Sequence, residues 1–339
     1  MKKTVLIVCP QESSSFVQQD AAILSTRFGV KVLSLHRLRN PKFFWTGVAV
    51  AGALGSGDIA AILMWFSVPH LAPVIVLLAG LFRKKVIAIT GGFDVAYVPA
   101  IKWGEMGKRW KRILQRFALR RVDACLPFSD FSKTDTLRYA RTGTVSTIYP
   151  GIDTAHFSPG GEKSDTVVTT CNIINASTIV QKGLDVFVEC AAALPDLRFI
   201  IVGEMSAADP ASVKFRESAP PNVTFTERYV SDEELLSIYR RARVYVQTSA
   251  HEGFGIACAE AMACECVPVG TLGTSLPEVI GDAGFLVAYR DVPGTVKAIR
   301  EAVVNDALRA KARKRVVEKF SPVERSAKLI GAFEVILGG

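Results

Sequence analysis

His251-Glu252-Gly253-Phe254-Gly255-Ile256-Ala257-Cys258-Ala259-Glu260-Ala261-Met262-Ala263 follows the apolar run Val244 to Ser249 and passes straight into an alanine-rich stretch. The predicted order is a strand, a turn built on two glycines, and a helix. Glycine lets the backbone turn sharply and approach a ligand, and a first helical turn carries N–H groups without intrahelical partners at the positive end of the dipole. A diphosphate suits such a turn. Glu260 stands beyond Gly255 by roughly 7.5 Å along the axis at 1.5 Å per residue, a distance suited to the ribose of a nucleotide whose phosphates rest on the turn. Glu252, ahead of the turn, faces whatever is attached on the other side. Taken singly, Glu252 reads as a surface cap and Glu260 as a solvated helix residue, so the weight lies on the pair and its flanks.

Working outward, short apolar runs near 166–174, 198–203, 223–227, 244–249, 266–270 and 285–287 alternate with amphipathic stretches. That alternation predicts a doubly wound parallel sheet with helices on both faces. An equivalent series near 4–9, 30–36, 59–66, 85–90, 124–128 and 145–149 predicts a second sheet in the first half. Between the two series, Tyr149-Pro150-Gly151-Ile152-Asp153 and Phe157-Ser158-Pro159-Gly160-Gly161 break any regular element and mark a link. A chain of 339 residues also exceeds what one core usually organises. The expected domains are 1–160 and 161–320, with a ligand cleft between them. Ser231 and Glu234 form a capping box that opens a helix running to about Ala242. The tail 321–339 is apolar at helical spacing through Leu329, Ile330, Phe333, Ile336 and Leu337, so it packs against a neighbour.

Apolar residues make up 49% and charged residues 22% of the chain, enough for two cores and unlike a disordered protein. The net charge of +9 is concentrated: Lys102, Lys108, Arg109, Lys111, Arg112, Arg116, Arg120 and Arg121 face only Glu105 within 102–121. Helical spacing puts Trp110, Ile113, Leu114 and Phe117 on one face and Arg109, Arg112, Arg116 and Arg120 on another. A solvated helix is one reading and an anionic membrane surface the other. No Walker loop or helix-turn-helix signature supports an ATPase or a nucleic-acid partner.

The seven cysteines lack zinc-type CxxC pairs and read as buried reduced thiols of a cytoplasmic protein. Met1 to Val8 reads as a first strand rather than a leader, because its apolar run stops at Pro10. Ile59 to Phe82 is about 24 residues without charge, long enough to span a bilayer. Its prolines resolve it into a buried strand to Phe66, Pro69 at a helix N1 position, and a packed helix from Leu71.

The residues now carry a resemblance. Glu252 and Glu260 form the E-x7-E element of the family-4 retaining glycosyltransferases, and Pro268-Val269-Gly270 and Pro277-Glu278-Val279-Ile280-Gly281-Asp282-Ala283-Gly284 resemble the segment downstream of it in that family. Pro150-Gly151-Ile152-Asp153, Gln181-Lys182-Gly183-Leu184-Asp185, Ile201-Val202-Gly203 and Tyr229-Val230-Ser231-Asp232-Glu233-Glu234-Leu235 look like family segments too. The resemblance implies the GT-B fold: two Rossmann-like doubly wound domains facing a central cleft, with the C-terminal helix crossing back onto the first. It implies transfer of a hexosyl group from a nucleotide diphosphate sugar to a hydroxyl, with retention, in envelope polysaccharide or glycolipid synthesis. Glu252 and the Gly253, Phe254 and Gly255 amides would hold sugar and phosphate, Glu260 the ribose, and Tyr229 and Val230 the base.

Lys182 has an argument of its own. A departing nucleoside diphosphate needs its growing charge neutralised by a divalent metal or by fixed cations and helix N-termini. No Asp-x-Asp pair occurs, so the expectation is no metal and no cofactor, with Lys182 as the cation. Read without that context, Lys182 is a solvated loop lysine.

Two positions depart from the family pattern. An arginine usually precedes that lysine, whereas this chain reads Asn175-Ala176-Ser177-Thr178-Ile179, leaving Ser177 and Thr178 as neutral donors. Glu265 stands where the family has glycine, which implies strain if the backbone there takes a positive φ.

In the first half, Thr90-Gly91-Gly92-Phe93-Asp94 follows a strand and resembles a family variant. Gly91, Gly92 and Asp94 are acceptor-side candidates at a sheet's C-terminal edge, and Asp94 reads equally as a turn or helix cap. Many family members act at the inner membrane face on lipid-linked acceptors, so peripheral attachment through 102–121 is the corresponding expectation. A catalytically silent sugar-nucleotide-binding scaffold and a nucleotide-sugar epimerase of the same fold remain alternatives.

Overall fold

The structure, a computed structural model, describes residues 2–9, 15–34, 43–55, 57–206 and 208–338. It divides into two compact units, Met1–Tyr149 with Val323–Gly339, and Pro150–Pro322. Residues 150–160, expected at the end of the first domain, thus belong to the second.

The first unit runs β1 (Thr4–Cys9), α1 (Ser15–Ser25), β2 (Gly29–Ser34), α2 (Phe43–Gly55), β3 (Ile59–Trp65), α3 (Ala72–Leu81), β4 (Lys85–Thr90), α4 (Arg109–Leu119), β5 (Ala124–Pro127) and α5 (Asp130–Leu137). Its sheet has the order β2-β1-β3-β4-β5, with all pairs parallel. β1 is buried along its whole length, as an unbroken apolar run covered on both faces requires. Residues 35–36 of the expected second strand lie outside the described residues.

Two expectations for this unit are corrected. Residues 145–149 form no strand. Val145 makes a single parallel bridge to Cys125, and Ser146 and Ile148 donate to the carbonyls of Cys125 and Pro127, but Pro127 has no N–H to return and the ladder goes no further. The proline in the first turn of α3 is Pro73, Pro69 lying in the turn before it. On α4 the apolar set divides: Leu114 and Phe117 are partly buried, whereas Ile113 and Trp110 are 60% and 49% exposed. Among the described residues no helix is long and apolar enough to cross a membrane.

The second unit runs β6 (Ser164–Ile174), α6 (Ala176–Lys182), α7 (Leu184–Ala193), β7 (Arg198–Met205), α8 (Pro210–Glu217), β8 (Val223–Glu227), α9 (Asp232–Arg241), β9 (Ala242–Gln247), α10 (Ile256–Ala263), β10 (Val267–Thr271), α11 (Leu276–Ile280), β11 (Phe285–Val287), α12 (Val292–Val303) and α13 (Asp306–Lys319). Its six parallel strands are ordered β11-β10-β9-β6-β7-β8. Winding reverses between the adjacent strands β6 and β9. In open α/β sheets the crevice beyond the strand C-termini at such a reversal is where ligands bind, and here it is bordered by the segments that follow β6 and β9.

The link following α10 shows how Glu265 is accommodated. Glu265 N donates to Met262 O and Cys266 N to Ala261 O, the paired bonds of a Schellman ending, and Glu265 takes the left-handed position with φ 62°. The expected strain is therefore present in the backbone, at a site where glycine is the usual occupant. Arg309 lies 3.6 Å from the Glu265 carboxylate.

The last helix, α14 (Pro322–Leu337), packs from Val323 onward within the first unit. Arg325 donates from Nε and Nη2 to the two oxygens of Asp20 at 2.9 and 2.7 Å, and Trp65 Nε1 donates to the same carboxylate at 2.9 Å. Nη1 of Arg325 also caps the carbonyls of Ile148 and Tyr149. Phe333 is fully buried with its ring 5.8 Å from that of Phe28.

Candidate functional site

Three features of the local sequence bring Lys182 to Glu252. Gly183 ends α6 in the left-handed conformation (φ 66°), and a Cβ there would sit 2.2 Å from Thr248 O, so only glycine allows the two segments to meet. Ala250 N donates to Gln181 O, Gln181 Nε2 to His251 O and Thr248 Oγ1 to Gly183 O, stitching 181–183 to 248–251. Lys182 then donates from Nζ to Glu252 Oε1 at 2.7 Å.

Glu252 is 9% exposed and also receives Ser249 Oγ at 2.7 Å. Burial pushes its carboxyl up, but Lys182 beside it, with the hydrogen bonds from Lys182, Ser249 and Gln247, outweighs this and holds it below the usual carboxylate range. Burial likewise works against the Lys182 charge, and Glu252 outweighs it, keeping the ammonium above the ordinary lysine value. Both partners are ionised at neutral pH.

Beyond Glu252 the chain turns through Gly253 and Phe254 to Gly255 (φ 96°), which begins α10 without a side-chain cap. A Cβ on Gly255 would lie 2.6 Å from Leu276 Cδ2, so packing as well as dihedral angle demands glycine. The N-terminus of α10 thus projects at the sheet edge beside the Lys182–Glu252 pair. Phe254 is 2% exposed and packs edge-on against Phe320 at 5.0 Å, so its side chain anchors the turn in the core.

Glu260, one turn into α10, is partly buried, and among the described residues no donor reaches its carboxyl. Burial, reinforced by Asp232, pushes it up to about 8. It is therefore largely protonated at neutral pH, able to donate one hydrogen bond as well as accept. Asp232 opens α9 directly after Tyr229, Val230 and the N-cap Ser231, whose Oγ accepts from Glu234 N at 3.2 Å. The Glu260 end of α10 and the 229–232 turn consequently share one neighbourhood, with Tyr229 76% exposed.

Ser177 is exposed in the first turn of α6, at the opposite end of that helix from Lys182. Thr178 Oγ1 is already used in a capping box with Asn175. Of the two hydroxyls expected to replace the arginine, one is consumed by the helix and the other is a helix length from the ammonium.

Asp94, Gly91 and Gly92 lie in the first unit. Asp94 is 4% exposed, and its carboxylate accepts the backbone N–H of Ser67, Gly91 and Gly92, each at 3.1 Å. Burial pushes its carboxyl up to about 6 against those hydrogen bonds. A Cβ on Gly91 would meet Phe66 Cε1 at 2.1 Å. Asp94 and Gly91 thus have intramolecular reasons to be what they are, and Asp94 organises the loop it belongs to.

Sequence reasoning missed Ser249, Gln247 and Lys163. Ser249 and Gln247 act only through a turn that no motif announces. Lys163 is 9% exposed and donates to the carbonyls of Tyr239, Ala242 and Cys264 at 2.9, 2.7 and 2.7 Å, joining the C-terminal ends of α9 and α10. A linker lysine carries no sequence sign of this. Among the described residues no group of three or more His, Cys, Asp or Glu side chains is placed to hold a metal ion, and all seven cysteines are buried and unbridged.

Residues 166–305, which include Lys182, Glu252 and Glu260, match the family described as glycosyl transferases group 1. The chain is 36% identical over 111 residues to O-antigen chain mannosyltransferase B of Escherichia coli, a match covering 32% of this chain and 29% of that one. The matches span no more than half the length of the curated relatives reported first. Among solved structures, sucrose-phosphate synthase from Thermosynechococcus elongatus superposes with a TM-score of 0.81 at 14% identity, covering 99% of this chain and all of the other. HepE of Anabaena, solved in complex with UDP-glucose, gives 0.76 at 16% identity over 98% and 99% of the two chains. Two Rossmann-like parallel α/β domains in one chain, as in those structures, constitute the GT-B fold.

Proposed function

We propose that this protein is a glycosyltransferase that moves a hexosyl group from a nucleotide diphosphate sugar to a hydroxyl acceptor with retention of the anomeric configuration. The observation that carries the reading is the Lys182–Glu252 pair, 2.7 Å apart, set beside the uncapped N-terminus of α10 at the sheet's switch point. An ammonium and a helix dipole converging there are suited to a leaving diphosphate. The group 1 family match over the same residues and the UDP-glucose complex of HepE support a nucleotide sugar as donor.

In this reading Lys182 and the α10 N-terminus neutralise the diphosphate as it departs, without a bound divalent ion. Glu252 fixes the Lys182 ammonium and faces the sugar, Glu260 meets the ribose, and Tyr229 and Val230 flank the base. The acceptor oxygen bonds to the anomeric carbon on the face from which the phosphate oxygen leaves, and the acceptor proton passes to that phosphate oxygen. Gly91, Gly92 and Asp94 form the acceptor-side loop, with Asp94 as its organiser. The acceptor is an envelope polysaccharide or glycolipid hydroxyl, as the mannosyltransferase relative suggests.

Calorimetric titration of the whole chain with UDP, GDP, ADP and their hexose conjugates, in the presence of EDTA, tests the reading. One diphosphate class should bind, and Lys182→Ala should weaken it by about tenfold or more. Failure of every nucleotide to bind in chelator would remove the reading.

A further inference from the structure

We infer that Gln247 is a positioning residue for the proposed transfer: its side-chain amide holds the Glu252 carboxylate in place while the Lys182 ammonium turns to the leaving diphosphate. The inference rests on the reading of Lys182 and Glu252 given above.

Gln247 is the last residue of β9, a strand paired on both sides, and follows Val244, Tyr245 and Val246. Val244 and Val246 join the core formed with residues of α7 and α12. Alternation along a strand puts Gln247 with Tyr245 on the other face. It is 5% exposed there. A leucine would suit such a position, because an amide is costly to bury unless each of its polar atoms is paired.

Among the described residues one side of the amide is paired and the other is not. The side chain hydrogen-bonds the Glu252 carboxylate, which makes Nε2 the donor. Oε1 is buried and accepts from no described group. It lies 3.6 Å from where a Cβ on Gly255 would stand, so the amide reaches from the carboxylate to the start of α10. The backbone beneath is held as well, with Thr271 Oγ1 donating to Gln247 O at 3.3 Å. A strand end that keeps an amide although its oxygen is orphaned keeps it for the nitrogen.

Lys182 Nζ and Ser249 Oγ both donate to Glu252 Oε1 at 2.7 Å. When the ammonium engages the diphosphate, Glu252 loses its charged donor, and a buried carboxylate stripped of donors takes up a proton. Gln247 and Ser249 are the neutral donors that remain, and they keep the carboxylate ionised and in place. The other titratable groups set against the pair are Tyr245 on β9 and Cys258 on α10, beside Glu252, and Cys171 on β6, beside Lys182. Burial pushes the Tyr245 phenol and the Cys258 thiol up and leaves them uncharged at neutral pH, so they supply no charge in place of Lys182.

Gln247→Met tests the inference, because it keeps the length and the apolar packing and removes both amide atoms. Transfer from the tightest-binding nucleotide sugar is followed across pH, and the Glu252 carboxyl of the ligand-free protein is titrated in parallel by NMR of labelled glutamate. The variant should lose about tenfold in kcat with the donor KM within about twofold of wild type. The acid limb of kcat/KM, and with it the Glu252 carboxyl titration, should move to higher pH. The thermal midpoint should equal or exceed that of wild type, since the orphaned oxygen goes with the amide. Gln247→Glu, which sets a second carboxyl against Glu252, should lose more activity still. An unmoved carboxyl titration, an unchanged kcat, or a loss of activity that merely follows a lowered thermal midpoint in Gln247→Met would overturn the role of Gln247. If wild type transfers nothing from any nucleotide sugar, the reading of the site fails instead, and the carboxyl titration still decides whether Gln247 is a donor that holds Glu252.

Discussion

Lys182 Nζ and Glu252 Oε1 meet at 2.7 Å although 70 positions separate them in the chain. Lys182→Met would leave the Glu252 carboxylate buried beside neutral donors only. Because Lys182 is 29% exposed, the cost expected at neutral pH is about 1–3 kcal/mol, less than for a fully buried pair. Glu252 has a depressed folded pKa, so its contribution is present above the unfolded value of 4.5 and lost as pH falls through the folded one. Urea denaturation should therefore show the deficit at pH 7 and little of it in acid. A deficit of equal size at both would point to lost packing instead.

Glu260 behaves in the opposite sense. Its folded pKa is raised from 4.5 to about 8, so its contribution is fully present below 4.5 and disappears as pH rises through 8. Glu260→Gln should match the wild type in acid and exceed it above pH 8 by about 1 kcal/mol or more, allowing for partial exposure. A ribose that donates to the carboxylate would also make nucleotide affinity climb with pH up to about 8 in the wild type and stay flat in the variant. Parallel stability profiles for the two proteins would contradict this assignment.

At the end of α10, Glu265 occupies a left-handed position, φ 62°, within a Schellman ending. Glu265→Gly should raise stability by about 1 kcal/mol, the relief of left-handed strain exceeding the loss of a long ion pair to Arg309. Thermal unfolding should register this as a gain of about 2–4 °C. A lower midpoint would mean that the Arg309 contact outweighs the backbone.

Asp20 and Arg325 are the buried fastening of the last helix. Arg325→Met should cost about 3–5 kcal/mol by leaving the Asp20 carboxylate, among the described residues, with Trp65 Nε1 alone. The paired change Asp20→Leu, Arg325→Met should recover much of that loss. Amide exchange along 323–337 in the single variant is the companion measurement, and protection equal to wild type would show that the fastening is not what holds α14.

Much of this architecture is legible in the amino-acid order because parallel strands buried on both faces read as plain apolar runs. β1, β3, β4 and β7 fall close to where such runs end. The runs mislead where pairing depends on a neighbour: 145–149 has strand composition, but Pro127 on β5 has no N–H to donate and the ladder stops after one bridge. The glycine turn and its two glutamates are visible because only certain residue types permit that backbone. The stitching of 181–183 onto 248–251, and the carbonyl cage around Lys163, arise from contacts between distant segments and leave no local trace. Helical spacing groups Ile113 with Leu114 and Phe117 without saying which part of the stripe finds a partner, and Ile113 finds none.

The central claim is that an ammonium and a helix N-terminus, without a divalent ion, stabilise the diphosphate as it leaves the sugar. The most direct measurement follows transfer from the nucleotide sugar that binds tightest, in EDTA, with the anomeric configuration of the product read by NMR. The account predicts full turnover with retention in the wild type, and loss by about a hundredfold or more in both Lys182→Ala and Glu252→Ala. Turnover that vanishes on chelation and returns with manganese, or that survives both substitutions, would contradict it.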